Sequence, residues 1–197
     1  LIETAYNEVK NLEYKRNIHN KRSTDDNPYY NSELCEWVEG CLEEIRNKHY
    51  IDSVKLEITQ IWANKTDRLT KHHNHHHPNS IVSGIVYLTS HDSGFTEFYF
   101  NDPWTENDRN GLEISKKRSD MPFSIKSKIK PEKGKLVVFP SNIWHSTTPL
   151  LDKQTRYTLA FNTFVSGVIG TESESSYLQV KPNTAKDLFR QHQGDKG

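Results

Sequence analysis

Five of the chain's ten histidines fall in one decapeptide, Lys71-His72-His73-Asn74-His75-His76-His77-Pro78-Asn79-Ser80. Neutral imidazole is a ligand for iron, zinc, copper and nickel. A histidine-rich run in mid-chain can equally be a polar loop in solvent. Its placement favours metal: the run stands just before Ile81–Leu88, an apolar segment with the marks of a strand. In extended backbone, residues i and i+2 share a face. His75 and His77 can therefore address one ion while His76 points away. His77 and Asn79 form a second such pair, ranked lower because an amide is a weak ligand for a transition metal.

Two ligands do not make a site, and a third must come from elsewhere in the chain. The segment PEKGKLVVFPSNIWHSTTP (131–149) holds a turn at Gly134, an apolar strand at 135–139, a Pro-Ser-Asn turn and then His145. A solitary histidine there is more often structural than a ligand. Eleven residues later Arg156 opens RYTLAFNTF. Along that strand Tyr157, Leu159, Phe161 and Thr163 share one face, and Arg156, Thr158, Ala160, Asn162 and Phe164 the other. If the second face lines a barrel, Arg156 is a cation among aromatic rings. No acidic residue shares its face of the strand. A buried unpaired charge costs several kcal/mol, and a ligand carboxylate would satisfy it through a bidentate pair. The other reading is an arginine at a strand edge, reaching solvent or Asp152.

The elements that must hold these side chains follow from periodicity. Residues 1–30 are polar and read as irregular, with a loop at KRSTDDNP (21–28). A helix starts at Ser32, read as its N-cap, and runs through the apolar stripe Leu34, Trp37, Val38, Cys41, Leu42 and Ile45. From Ile51 the period drops to two: Val54, Leu56, Ile58, Gln60 and Trp62 alternate with Lys55, Glu57, Thr59 and Ile61. Further strands are expected at 81–88, 95–100, 123–129, 135–139 and 156–165. Residues 105–120 read as an exposed charged loop and the tail from 171 as loosely ordered. Short strands with turn signals between them, and no intervening helices, mean an all-β core with one flanking α-helix. The expected organisation is residues 1–50 as a polar segment plus helix packed on a β-sandwich or barrel, 51–170 as that β domain with the candidate site and 171–197 as a tail, all in one structural domain.

Composition narrows the function classes. The chain has 197 residues, with 26 Lys and Arg against 26 Asp and Glu, so no net field favours nucleic acid or an anionic membrane. Only 33% of residues are hydrophobic, but 8 Phe, 9 Tyr and 4 Trp supply large buried areas. No apolar run approaches the roughly 20 residues needed to span a bilayer. The opening LIETAYNEVK has neither a basic nor an apolar leader region, so no signal peptide is expected. Cys35 and Cys41, six residues apart on one helix, would lie about 9 Å apart along its axis, too far to bridge. A reduced, cytoplasmic setting fits.

Taken in order, these segments resemble the iron(II)/2-oxoglutarate dioxygenase superfamily, and within it the 2OG-Fe(II) oxygenase group with a His-x-His-Pro motif. The matching pieces are Trp62-Ala63-Asn64, then His75-His76-His77-Pro78-Asn79-Ser80, then Ser83-Gly84-Ile85-Val86-Tyr87. Later come Gly134, Leu136, Phe139-Pro140-Ser141, His145, Arg156 and Phe161-Asn162. The resemblance covers about residues 54 to 165. It implies a double-stranded β-helix, that is, a jelly roll or cupin-like barrel. Fe(II) would be held by His75, His77 and His145 at its open end, and 2-oxoglutarate and O2 would be used there. It also implies that Arg156 holds the far carboxylate of 2-oxoglutarate with help from Tyr87, and that Asn64 and Trp62 stand at the cavity wall. Thr158 and Asn64 complete the expected cosubstrate-binding set. His77 departs from the superfamily, which normally has a carboxylate there.

The expected activity is an oxygenase, a hydroxylase of a small molecule or protein side chain. It would couple decarboxylation of 2-oxoglutarate to succinate with C–H oxidation. No nucleic-acid or membrane partner is expected. Two alternatives stand beside it: a cupin-like three-histidine metalloenzyme without 2-oxoglutarate, and a non-catalytic metal- or carbohydrate-binding jelly roll. Arg156 discriminates, since without the cosubstrate it has no evident anion. Asn101-Asp102-Pro103-Trp104 and the 105–120 loop are candidates for the substrate entrance.

Overall fold

The structure is a computed structural model that describes residues 1–16, 22–24, 29–50, 54–99, 126–170, 173 and 177–194. In chain order its elements are α1 (Ile2–Val9), β1 (Lys15–Arg16), β2 (Arg22–Ser23), α2 (Ser32–His49), β3 (Val54–Thr66), β4 (Val82–Tyr87) and β5 (Thr96–Tyr99). There follow β6 (Lys126–Ile129), β7 (Leu136–Pro140), β8 (Trp144–Thr147), β9 (Arg156–Ile169), β10 (Leu178–Val180) and α3 (Ala185–Gly194). Seven strands make one antiparallel sheet in the order β1-β2-β3-β9-β4-β7, with β10 paired to the far end of β9, and β6-β5-β8 make a second.

The alternation of β9 divides the molecule. Leu159, Phe161 and the half-buried Tyr157 belong to an apolar core shared with Leu34, Val38 and Leu42 of α2. Ala5 and Val9 of α1 and Ala185 of α3 join the same core. Arg156, Thr158 and Ala160 turn the other way and line a cleft, which β5 and β8 close with Thr96, His145 and Thr147. The helices thus cover one face of the large sheet, and the cleft lies between its other face and the small sheet. This is the jelly-roll arrangement, an all-β core with helices on its flank.

β3 follows its expected alternation only halfway. Val54, Leu56 and Ile58 are buried, but the pairing with β9 slips between Ile58 and Gln60, leaving Thr59 as an extra residue. A one-residue bulge exchanges the two faces of everything after it. Ile61 and Ala63 therefore enter the core, while Trp62 and Asn64 line the cleft, the reverse of the faces that an unbroken period assigns.

Several boundaries differ from expectation. Residues 1–30 are not wholly irregular, since α1 inserts Ala5 and Val9 into the core and β1 and β2 form a ribbon. Arg22 and Ser23 of the expected 21–28 loop pair with Lys65 and Asn64, and the rest of that loop, apart from Thr24, lies outside the described residues. The N-cap of α2 is Asn31 rather than Ser32: its side chain accepts from the Leu34 N–H at 2.9 Å. The tail carries β10 and α3 instead of a loose strand of chain. Residues 101–104, the 105–120 loop and the first half of the expected 123–129 strand lie outside the described residues. Cys35 and Cys41 are free thiols, and burial pushes the Cys35 thiol up to about 11. No helix among the described residues is long and apolar enough to cross a membrane.

Candidate metal centre and cosubstrate cleft

The histidine run is placed by backbone pairing. Residues 70–77 lie antiparallel against 141–150. The Leu150 N–H donates to the Thr70 carbonyl at 3.1 Å, and His75 and His145 exchange both backbone bonds, at 2.9 and 2.8 Å. The His77 N–H then donates to the Ser141 carbonyl at 2.9 Å. Two segments some 70 residues apart in sequence are zipped together with His75 facing His145. Extended backbone at 75–77 brings His77 to the same side, and His76 lies instead against the Trp144 ring, 4.8 Å between centroids. Asn79 is exposed and has φ +57°, the conformation of a turn residue leading into β4.

The ligand nitrogens of His75, His77 and His145 all lie within 4.8 Å of one another. His77 Nε2 and His145 Nε2 are 3.2 Å apart. Two nitrogens bound at right angles to one ion at ~2.1 Å would be ~3 Å apart, so the spacing suits a shared transition-metal ion. His75 Nδ1 lies 3.0 Å from the His73 carbonyl and His145 Nδ1 3.0 Å from the Ile143 carbonyl. A ring N–H given to a carbonyl fixes the tautomer and aims the other nitrogen as a ligand. The same i−2 carbonyl orients both rings. Three neutral imidazoles on one side, with an open cleft on the other, fit an iron site that leaves positions for further ligands.

The cleft encloses about 670 Å³ including its open mouth. Arg156 stands in it, 4% exposed. Its Nη1 donates to the Gly94 carbonyl and its Nη2 to Thr66 Oγ1 at 3.2 Å, while its buried Nε has no partner among the described residues. Burial depresses its pKa, offset only by the nearby Tyr87. Asp152 does not serve it; that carboxylate accepts from the Ser93 hydroxyl and faces His91. Among the described residues no carboxylate lines the cleft. A buried guanidinium in such surroundings calls for an anion, and the carboxylate end of a dicarboxylic cosubstrate suits it in charge and donor geometry.

Tyr87 is fully buried at the cleft wall, its hydroxyl 2.5 Å from Thr96 Oγ1, and burial raises its pKa. Thr158 lines the cleft two residues from Arg156, paired across the sheet with Asn64 and Tyr87. Asn64 Oδ1 is buried without a hydrogen-bond partner among the described residues. The four expected cosubstrate residues and the three histidines therefore line one cavity.

Sequence reasoning missed some of what shapes the site. Gly94 and Thr66 hold the guanidinium, and neither stands near Arg156 in sequence. A largely buried chain of polar groups links the histidine loop to the sheet. Ser80 Oγ and Ser83 Oγ each lie 2.8 Å from Ser141 Oγ, and Ser83 Oγ donates to Asn162 Oδ1 at 2.8 Å. The Pro-Ser and Phe-Asn pieces of the sequence carry the only signal of it. Gly84 has its own reason: a Cβ there would lie 2.2 Å from the Phe161 ring packed beneath it.

Solved structures share this fold. A prolyl-4-hydroxylase from Pseudomonas putida is 14% identical, covering 82% of this chain and 85% of its own, with a TM-score of 0.54. HygX from Streptomyces hygroscopicus, solved with nickel and 2-oxoglutarate bound, is 15% identical over 94% of this chain and 89% of its own, with a TM-score of 0.53. The non-heme alpha ketoglutarate dependent epimerase SnoN from nogalamycin biosynthesis reaches a TM-score of 0.58 at 9% identity, over 84% of this chain and 74% of its own. Likeness at such identities shows the fold, a double-stranded β-helix. No curated protein matches the sequence. The sequence model of the family described as "Putative 2OG-Fe(II) oxygenase" matches residues 60–162, more than half of the chain. The chain belongs to this 2OG-Fe(II) oxygenase family, enzymes that depend on Fe(II), 2-oxoglutarate and O2.

Proposed function

We propose that the protein is a hydroxylase of a small molecule or a protein side chain, with Fe(II) held by His75, His77 and His145 and 2-oxoglutarate anchored by Arg156. The observation that carries this reading is Arg156 itself: a buried cation, its Nε without a partner among the described residues, in the cavity that the three imidazoles line. When bound, Fe(II) and 2-oxoglutarate supply the oxidising chemistry, in which O2 converts the cosubstrate to succinate and CO2 and places one oxygen atom in a substrate C–H bond.

The chain's own residues bind, orient and exclude water. His75 and His145 present Nε2 because their Nδ1 groups lie at backbone carbonyls. Arg156 fixes the far carboxylate, the Gly94 carbonyl and Thr66 hydroxyl having already set the plane of its guanidinium. The Tyr87 hydroxyl, Thr158 and the Asn64 amide stand beside that carboxylate's position. Ile85 and Trp62 give the cleft apolar walls, which strengthens each charge-assisted contact by keeping water out. Residues 1–50, 51–170 and 171–197 act as one structural unit in this reading, supported by the core that α1, α2 and α3 share beneath the cleft.

A cupin-like metalloenzyme without 2-oxoglutarate would use the same histidines but would leave Arg156 with no anion. Anaerobic titration of the Fe(II)-loaded protein with 2-oxoglutarate tests the difference. The expected result is a new visible charge-transfer band with saturable binding, and slow succinate release once air is admitted. Absence of both would overturn the proposal.

A further inference from the structure

We propose that His72 and His73, together with His75, form a second, outer seat for a divalent transition-metal ion, one that shares a ligand with the inner seat. The inference rests in part on the reading of His75, His77 and His145 as the inner seat. The ligand nitrogens of His72, His73 and His75 lie within 4.8 Å of one another. Their ring centroids are 4.1 Å (His72–His75), 4.9 Å (His72–His73) and 5.1 Å (His73–His75) apart, as close as the rings of the inner set.

The backbone prepares this second grouping. The His72 N–H donates to Thr147 Oγ1 at 2.8 Å, and its carbonyl accepts from the Thr147 N–H at 3.2 Å. His72 is thus pinned to β8 on one side of the run as His75 is on the other. The bend at Asn74 between them brings His73 alongside both. Position distinguishes the two seats. The inner seat includes His145, which is buried, whereas His72, His73, His75 and His77 are all half-buried. His72 lines the cleft and also an adjoining groove that holds His73, Glu97 and Tyr99. The outer seat therefore stands where the cavity meets solvent.

Three neutral imidazoles suit cobalt, nickel, copper or zinc as well as iron(II). With Nδ1 of His75 turned to the His73 carbonyl, Nε2 is its ligand nitrogen, and one lone pair serves one ion at a time. The seats are alternatives for a single ion. An ion arriving from solvent binds His72, His73 and His75, then exchanges the first two for His77 and His145 while His75 holds it throughout. The outer seat is the weaker, because its three ligands lie on one loop and none is as buried as His145, and the first to fill, because His72 and His73 also line the adjoining groove.

The test uses Co(II), followed anaerobically by its visible absorption, with the full chain. A His77→Gln/His145→Gln variant should still take one Co(II), at least tenfold more weakly than the unsubstituted protein. Adding His72→Ala and His73→Ala should remove that binding. A folded His77→Gln/His145→Gln chain that binds no Co(II) overturns the proposal. Should that variant not fold by circular dichroism, loading kinetics decide. A His72→Ala/His73→Ala chain should reach the same final affinity at least threefold more slowly, and an unchanged rate overturns the outer seat. Loss of the tight site in His72→Ala/His73→Ala would instead overturn the inner assignment, and with it the ranking of the two seats.

Discussion

A Cβ on Gly94 would lie 3.2 Å from Nη1 of Arg156 and 3.1 Å from Cδ1 of Leu150, at a residue whose φ is +67°. The glycine leaves room for the guanidinium, and its carbonyl receives one of the guanidinium N–H groups. Gly94→Ala should therefore act twice. The backbone strain costs about 1–3 kcal/mol of stability, and the displaced guanidinium weakens 2-oxoglutarate binding more than Fe(II) binding. Thermal melts and separate titrations of metal and cosubstrate read the two effects. Wild-type cosubstrate affinity in this variant would mean that Arg156 is not the anchor.

Arg156→Met removes the charge and keeps much of the side-chain volume. A charge-assisted pair is worth roughly 1.5–3 kcal/mol, so 2-oxoglutarate affinity should fall about tenfold to a hundredfold with Fe(II) binding retained. The protein without cosubstrate should lose little stability, or gain some, because a buried cation without an anion is itself unfavourable. Thermal shift with and without 2-oxoglutarate separates these outcomes. An unchanged cosubstrate-induced shift would mean that another group holds the carboxylate, and no shift in either protein would favour the cupin-like alternative.

His77 stands where the superfamily has a carboxylate, with Trp62 beside it at 5.8 Å between ring centroids. His77→Asp restores an anionic oxygen ligand, and oxygen suits iron as imidazole nitrogen does. Asp is shorter, so the ion or the loop must move. Fe(II) affinity and succinate formation should stay within about tenfold, a loss near 1.4 kcal/mol. His77→Ala should lose most of its metal. Equal behaviour of the two variants in metal analysis would remove His77 from the ligand set.

His91 predicts an acid limit to stability. Burial holds its pKa below the usual histidine value, only partly opposed by Asp152. The folded protein therefore takes up this proton at a lower pH than the unfolded chain does. The resulting stability is present above the unfolded value of about 6.5 and is lost as pH falls through the folded one. Denaturant midpoints should drop between pH 7 and pH 5, and His91→Gln should flatten that slope. An unaltered slope would assign the acid sensitivity to other groups.

The parts of the site set by short-range alternation are legible in the amino-acid sequence alone. The face of β9 that carries Arg156 and Thr158, and the i, i+2 pair His75 and His77, follow from extended backbone. The bulge at Thr59 is not legible there. It is fixed by pairing with Asn162 and Thr163, about a hundred residues away, and local periodicity carries no trace of it. β8 escapes for a related reason: Trp144-His145-Ser146-Thr147 has no apolar alternation and is a strand only because β5 and the histidine run lie on either side of it. α1 and α3 are short. In α1 the residues Ile2, Ala5, Tyr6 and Val9 do stand at i, i+3, i+4 and i+7, but the pattern spans only two turns and is easily passed over, whereas α3 enters the core by Ala185 alone. Gly94 reads as a loop glycine because its reason for being glycine is the tip of a side chain sixty-two positions on.

Gly84 lies in the middle of β4, with the Phe161 ring against the face where a side chain would be and the cleft on its other side. At that point the partition between the oily interior and the reactive cavity is a single peptide thick. Phe161 thus braces the peptide that walls the cavity while remaining a member of the core. Trimming it would let the β4 backbone sag away from the three clustered imidazoles, so a substitution chosen only to probe folding would register first as a widened, leakier chamber.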